Sequence, residues 1–311
     1  MATTLTTIVQ SAAEAATIPL TNKLFKEGVV SKQLWEKKKT TDGGRQINIP
    51  FAMSKPGTAK SISRGEQVSY AEADYVQTPA LDWAEYVNTV VIPRRDINEA
   101  SGKAQIFSRV ALEMDRLVRE LKEKIFTDFW TGDGSNTSLY GVDTWCITTG
   151  SYAGINVATY TNWAGNYDSA ETDVSDTELL GTHIAATCQD KEYPSHIVSS
   201  RGLMFDMMKD IAYPLQNLGA GDTADVGYLR FNFYGIPWIA DDLCPAFSIY
   251  VLNTNYIDFY VPTGAQTMRV ETFDEGDYIG TKLRVSVQCQ VACRWPKTSS
   301  RIAGVSTCSK A

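Results

Sequence analysis

From Leu283 to Trp295 every second residue is apolar or cysteine: Leu283, Val285, Val287, Cys289, Val291, Cys293 and Trp295 alternate with Lys282, Arg284, Ser286, Gln288, Gln290, Ala292 and Arg294. Period-two alternation predicts a single long strand buried on one face, about 40 Å long at roughly 3.3 Å per residue. A second period governs residues 103–130. Ile106, Phe107, Val110, Met114, Leu117, Val118, Leu121, Ile125 and Phe129 recur at helical spacing, so one apolar stripe faces a core. The opposite face is charged: Arg109, Glu113, Arg116, Glu120, Glu123 and Lys124. Arg116–Glu120, Asp115–Arg119 and Glu120–Lys124 are spaced as i, i+4 ion pairs. Ser101 is the expected N-cap and Gly132 the expected stop. At about 1.5 Å per residue the helix is roughly 40 Å long, which suits a spine lying along the long strand.

Shorter patterns fill the rest. Ile47, Ile49, Phe51 and Met53 alternate with Gln46, Asn48, Pro50 and Ala52, which predicts a half-buried strand, restricted to an edge or ribbon by Pro50. Leu81–Pro93 is a second strand-like run, with Trp83, Tyr86, Val87, Val90, Val91 and Ile92. The polar stretch between them makes a long, projecting loop, a feature uncommon in compact domains without a function. Residues 1–40 carry sparse helical patterns (Leu5, Ile8, Val9, Ala12, Ala16, then Leu24, Phe25, Val29, Val30, Leu34, Trp35) and end in Lys37-Lys38-Lys39; they must pack on the rest of the chain or on a neighbour. Loops and short strands are expected over 140–175. Helices are expected from Thr177 to Cys188 and from Leu203 to Leu218, with strands at Ile197–Ser199, Tyr234–Asp241 and Phe247–Leu252.

Composition narrows the function by exclusion. The chain has 311 residues, 43% hydrophobic, enough to bury a sizeable core. Its net charge of −7 argues against a dedicated nucleic-acid binder, which needs a basic face. Residues 1–20 lack a basic start followed by an apolar run, and no window approaches a membrane span, so the chain is read as soluble and cytosolic, without membrane contact. The cysteines, Cys146, Cys188, Cys244, Cys289, Cys293 and Cys308, form no C-x-x-C pair and read as buried free thiols. His183 and His196 stand outside any zinc pattern. No nucleophile elbow or Walker loop is present, and Gly219-Ala220-Gly221 lacks the third dinucleotide-motif glycine. Asp133, Asn136 and Asp143 read as turn chemistry rather than a cation site. No catalytic, cofactor-binding or metal-binding residue is assigned, and no cofactor is expected.

The order of parts is the informative feature: helical arm, projecting loop, spine helix, compact α/β segment, long closing strand. In that order the chain resembles the major capsid proteins of tailed bacteriophages, which have the Hong Kong 97-type fold. Gly43-Gly44-Arg45-Gln46-Ile47-Asn48-Ile49-Pro50 resembles the family's way into its extended loop. Trp83–Ile92 with Pro93-Arg94-Arg95-Asp96-Ile97 resembles the return strand. Ile125–Gly134, leading to Tyr140-Gly141-Val142, resembles the end of the spine. Pro194–Arg201 and Phe233–Asp241 resemble axial-domain segments. The resemblance implies an α+β capsid fold: N-terminal arm 1–40, extended two-stranded loop 41–95, peripheral domain 96–175 with its spine helix 103–130, axial α/β domain 176–262, and the peripheral domain's long strands with the C-terminus, 263–311.

It also implies a function without catalysis. The chain would self-assemble as hexamers and pentamers into an icosahedral shell around double-stranded DNA, held without sequence specificity, and would be built in the host cytoplasm. Implied partners are itself, portal and decoration proteins, and a separate scaffolding protein or none, since only about 40 residues precede the extended loop. Lys55, Lys60, Arg64 and Trp83 of the loop, and Arg109, Glu113, Arg116 and Glu120 of the spine, are the expected subunit contacts. The competing readings are an encapsulin-like compartment shell and a cytosolic α/β enzyme without a recognisable motif.

Overall fold

A computed structural model describes residues 26, 28–42, 44–54, 59–65, 67, 76–93, 103–135, 138–169, 177–210, 230–263, 269–273 and 280–305, with the backbone alone at residues 103–110, 177, 209–210, 230–231, 272–273 and 280–281. Helix α1 (Val29–Glu36) leads into strand β1 (Lys39–Thr41). Strands β2 (Gln46–Asn48), β3 (Phe51–Ala52), β4 (Val76–Gln77) and β5 (Ala80–Asp82) form a ribbon, β2 antiparallel to β5 and β3 to β4. Then come β6 (Ala84–Pro93), the long helix α2 (Lys103–Thr131), the short helix α3 (Val142–Trp145), and β7 (Ser151–Tyr152), β8 (Ile155–Asn156) and β9 (Asn166–Asp168). The middle of the chain is α4 (Thr177–Thr187), β10 (His196–Ser199), α5 (Arg201–Asp210), β11 (Arg230–Phe233), β12 (Ile236–Ala240) and β13 (Ser248–Leu252). It closes with β14 (Ile257–Pro262), β15 (Arg269–Phe273), β16 (Gly280–Cys293) and β17 (Ser300–Ala303).

Two larger sheets result. The first is organised by β16, which pairs with β6 along one edge and with β14 and β15 along the other; β1 lies parallel beyond β14. Leu283, Val285, Val287, Cys289, Val291 and Cys293 are buried, as the alternation predicts. Helix α2 lies across β6 and β16 and buries Met114, Leu117, Leu121, Ile125 and Phe129. The second sheet runs β11-β12-β10-β13-β17-β9. On one of its faces Ile197, Trp238, Ile249 and Val251 meet Leu180, Leu203 and Met204 of α4 and α5. From its other face Val198, Ile239, Tyr250 and Leu252 enter the larger core with α2 and the first sheet.

Several expectations change. Gln290 and Ala292, placed on the polar face of the long strand, are both buried. The Gln290 amide is satisfied there: its Oε1 accepts from Tyr140 N–H (2.8 Å) and Val291 N–H (2.9 Å), and its Nε2 donates to the Asp82 carbonyl. Strand β6, assigned to the extended loop, belongs to the first sheet over its whole length. Strand β14, assigned to the axial segment, also lies in the first sheet, whereas β17 from the closing segment joins the second. The alternating run 46–52 is interrupted at Pro50. Helix α1, assigned to the arm, buries Val29, Val30 and Leu34, and its Trp35 meets Phe126 and Phe259 edge-on in its own chain's core. Residues 1–25, the expected N-cap Ser101, and 211–218 of the second predicted helix lie outside the described residues.

Gly132 does stop α2, for a different reason than a left-handed cap. A Cβ there would sit 2.2 Å from the Leu139 carbonyl oxygen, so only glycine lets the returning chain approach. Among the expected ion pairs, Arg119–Asp115 forms at 3.0 Å. Lys124 instead takes Asp128 at 2.8 Å, and Arg116 comes within 3.9 Å of Glu113. Cys146, Cys244, Cys289 and Cys293 are buried free thiols, and burial pushes Cys289 and Cys293 up to about 12.

Candidate assembly surface

The ribbon β2–β5 has an apolar face, and its own chain covers it. Ile47, Ile49, Met53 and Leu81 are buried, and Phe51 meets the Trp163 ring at 4.9 Å. Asn162 Nδ2 donates to the Met53 carbonyl at 3.1 Å, and Trp83 Nε1 to the Gly44 carbonyl at 2.9 Å. Trp83, proposed as a subunit contact, therefore closes the base of the ribbon. What stands clear is the polar tip: Lys60, Ile62 and Arg64 are exposed. Lys55 lies outside the described residues.

The spine offers a different surface. Strand β6 pairs only with β16 among the described residues. Between that strand and α2 lies a groove of about 390 Å³, lined by Tyr86, Val87, Asn88, Glu120, Glu123 and Lys124 among others. Asn88 clamps strand to helix: its Nδ2 lies 3.2 Å from both the Leu117 carbonyl and Glu120 Oε2, while its Oδ1 accepts from Thr89 N–H at 2.9 Å. Tyr86 donates to Asp128 Oδ2 (2.9 Å), whose other oxygen takes Lys124 Nζ (2.8 Å). Burial pushes the Tyr86 phenol up, keeping it a neutral donor. With Lys124 committed to Asp128, the carboxylates of Glu120 and Glu123 set the charge of the groove. Val87 and Val91 are 49% and 39% exposed beside it.

Of the spine residues expected to contact a neighbour, Glu120 lines this groove, and Glu113 and Arg116 lie further toward the start of the helix. Arg109 is on α2, with its side chain outside the described residues. Sequence reasoning missed Asn88. The available signal was a polar residue at an inward position, between Tyr86, Val90 and Ile92, where it needs a partner.

Asp168, His183 and Ser300 lie in the order of a hydrolase triad, with His183 Nδ1 2.6 Å from Ser300 Oγ and Nε2 3.5 Å from Asp168 Oδ2. Ser300 is fully buried in β17, so no substrate reaches its oxygen. The constellation ties α4 to the second sheet. No group of three metal-ligating side chains occurs among the described residues, and no helix there is long and apolar enough to cross a membrane.

No protein-family model and no curated protein matches the chain. Solved structures do. A capsid chain of cyanophage A-1(L) superposes with TM-score 0.69 at 16% identity, covering 93% of this chain and 96% of that one. The chain has the Hong Kong 97-type capsid fold. A capsid chain of the native GTA particle matches with TM-score 0.64 at 12% identity (93% and 96% covered). The SrpI encapsulin of Synechococcus elongatus PCC 7942 matches with TM-score 0.59 at 12% identity (96% and 95% covered).

Proposed function

We propose that this chain is a major capsid protein of a tailed phage, assembling as hexamers and pentamers into an icosahedral shell around double-stranded DNA. The observation that carries this is the end-to-end match of its fold to shell-forming chains, with 93% of this chain and 96% of the cyanophage chain covered. Its role is structural, in the virion, after assembly in the host cytoplasm. The six-stranded sheet with α4 and α5 forms the axial part and points to the capsomer centre, where exposed Tyr193, Phe205, Tyr234 and Phe247 meet neighbouring copies. The extended loop of one subunit reaches the spine of the next, and its cations Lys55, Lys60 and Arg64 face Glu113, Glu120 and Glu123. Arg109 and Arg116 set the register of that contact. A separate scaffolding protein, portal and decoration proteins complete the partners.

Negative-stain microscopy and sedimentation of the purified protein test this. Wild type forms large particles or capsomers; only small monodisperse species under all conditions would overturn the proposal. Charge reversal of Lys55, Lys60 and Arg64 abolishes particles, and joint reversal of Glu120 and Glu123 in the same chain restores them. Unaltered shells from the loop reversal would discard the electrostatic contact while leaving the shell reading intact. The encapsulin match supports a second reading, a compartment shell; nuclease-protected DNA inside the particles favours the first, and a co-purifying enzyme the second.

A further inference from the structure

Helix α1 begins without a local cap. Its N-cap residue is Gly28, which has no side chain to offer. Ser31, in the first turn, is fully buried, and its hydroxyl has no hydrogen-bond partner among the described residues. The exposed amides of a helix start need an acceptor, and here it comes from a segment 212 residues away: Asp241 Oδ2 accepts from Val29 N–H at 2.9 Å and also from Val30 N–H at 3.4 Å.

Asp241 is itself held in place. It follows β12, its N–H donates to the Ser199 carbonyl (3.0 Å), and its Oδ1 accepts from Leu243 N–H (2.9 Å). The fit is tight: a Cβ on Gly28 would lie 2.2 Å from Ser31 Oγ and 3.4 Å from Asp241 Oδ2. A buried anion at the positive end of a helix joins the N-terminal part of the chain to the junction of the two sheets.

We propose that Asp241 is a proton-linked latch for the N-terminal segment, capping α1 while that helix is docked and letting it go when the cap is broken. The direction of the proton linkage follows from burial. Desolvation raises the Asp241 carboxyl to about 6, against a usual 3.8, despite three backbone N–H donors that pull the other way. The docked state therefore holds a proton more tightly than the undocked state, in which the carboxyl meets water. Between those two values the docked form gains as pH falls; above about 6 the latch holds an ionised, poorly solvated carboxylate and opens more easily. Protonation at Oδ1 leaves Oδ2 free to accept from α1.

The neighbouring charges do not reverse this sign. Asp242, on the same segment, raises Asp241 further and is itself held by Arg201 of α5 at 2.8 Å. The Cys244 thiol is buried close by, with the Asp143–Arg301 pair of α3 and β17 (3.1 Å) acting on it. From α1 come the amides of Val29 and Val30 and the Ser31 hydroxyl, while Lys32 lies exposed at the surface.

Hydrogen exchange of the full-length protein, corrected for intrinsic rates, tests the latch independently of shell assembly. In wild type, protection of the α1 amides rises about tenfold from pH 7.5 to pH 5, while α2 protection does not follow. Asp241→Asn keeps an acceptor and removes the titration, so α1 stays protected and the pH slope disappears. Asp241→Ala exposes α1 at both pH values with α2 still protected. A wild-type slope persisting in Asp241→Asn, or α1 protection unchanged in Asp241→Ala, overturns the proposal. Should Asp241→Ala fail to fold, the slope in Asp241→Asn decides alone.

Discussion

Strands β13 and β16 are both central, yet they are buried in different ways. All five residues of β13, Ser248–Leu252, are buried. Along β16, buried residues alternate with partly open ones from Leu283 to Cys289. The six-stranded sheet is covered on both faces, by α4 and α5 on one side and by the core shared with α2 on the other. The first sheet is covered by α2 on one face and leaves Val87 and Val91 half-open on its other. A sheet sealed on both faces serves as internal framework. One sealed on a single face keeps apolar surface exposed, as at Val87 and Val91.

The sharpest way to break that comparison is at Tyr250, which is fully buried, lies 4.9 Å from the Trp130 ring and donates to Asp143 Oδ1 at 2.7 Å. Tyr250→Ala should cost about 3–5 kcal/mol, read as a shift in the urea unfolding midpoint. A loss below about 1 kcal/mol would mean that the two sheets do not share a core. Within β16 the two faces should separate. Leu283→Ala costs about 2–5 kcal/mol, whereas Ser286→Ala on the open face changes stability by no more than about 0.5 kcal/mol; equal costs would remove the distinction between faces. Smaller still is Glu120→Lys, within about 0.5 kcal/mol of wild type in unfolding yet deficient in particle formation by sedimentation. The mildest probe is alkylation of the native protein. Of the five described cysteines, only the partly exposed Cys188 should react, and slowly at neutral pH because desolvation raises its thiol too; the others are buried beyond reach of the reagent, and modification at Cys289 or Cys293 would show that the sealed core opens.

Much of this fold was legible in the chain. The long strand and the spine helix each carry an uninterrupted period over more than a dozen residues, which local sterics and one-sided burial convert directly into an element. The strands missed were β1, β4, β11, β14, β15 and β17. Most are short, and β14 alternates as buried and partly buried from Ile257 to Pro262 without a strong polar contrast. For β1 and β17 the pairing partners are also far off in the chain, with Lys39 against Tyr260 and Ser300 against Asn166. The candidate surface was legible only as charge. Glu120 was singled out from the exposed helix face, but the groove exists because β6 runs beside α2, and Asn88 gained its role only when Leu117 and Glu120 came within reach.

The sequence by itself determined most of the residues that point inward and the length of the spine and its closing strand, which follow from local periodicity, and the order of parts, which marks the capsid fold only through the family resemblance. Tertiary structure alone decided what covers each face. It turned the ribbon's apolar side onto Trp163 and its neighbours, split the segment boundaries between the two sheets, exchanged the ion partners of Arg116 and Lys124, and placed Asp241 at the start of α1. The reason is physical: an ion pair, a cap or a buried face depends on distances between residues far apart in the chain, and only packing sets those distances.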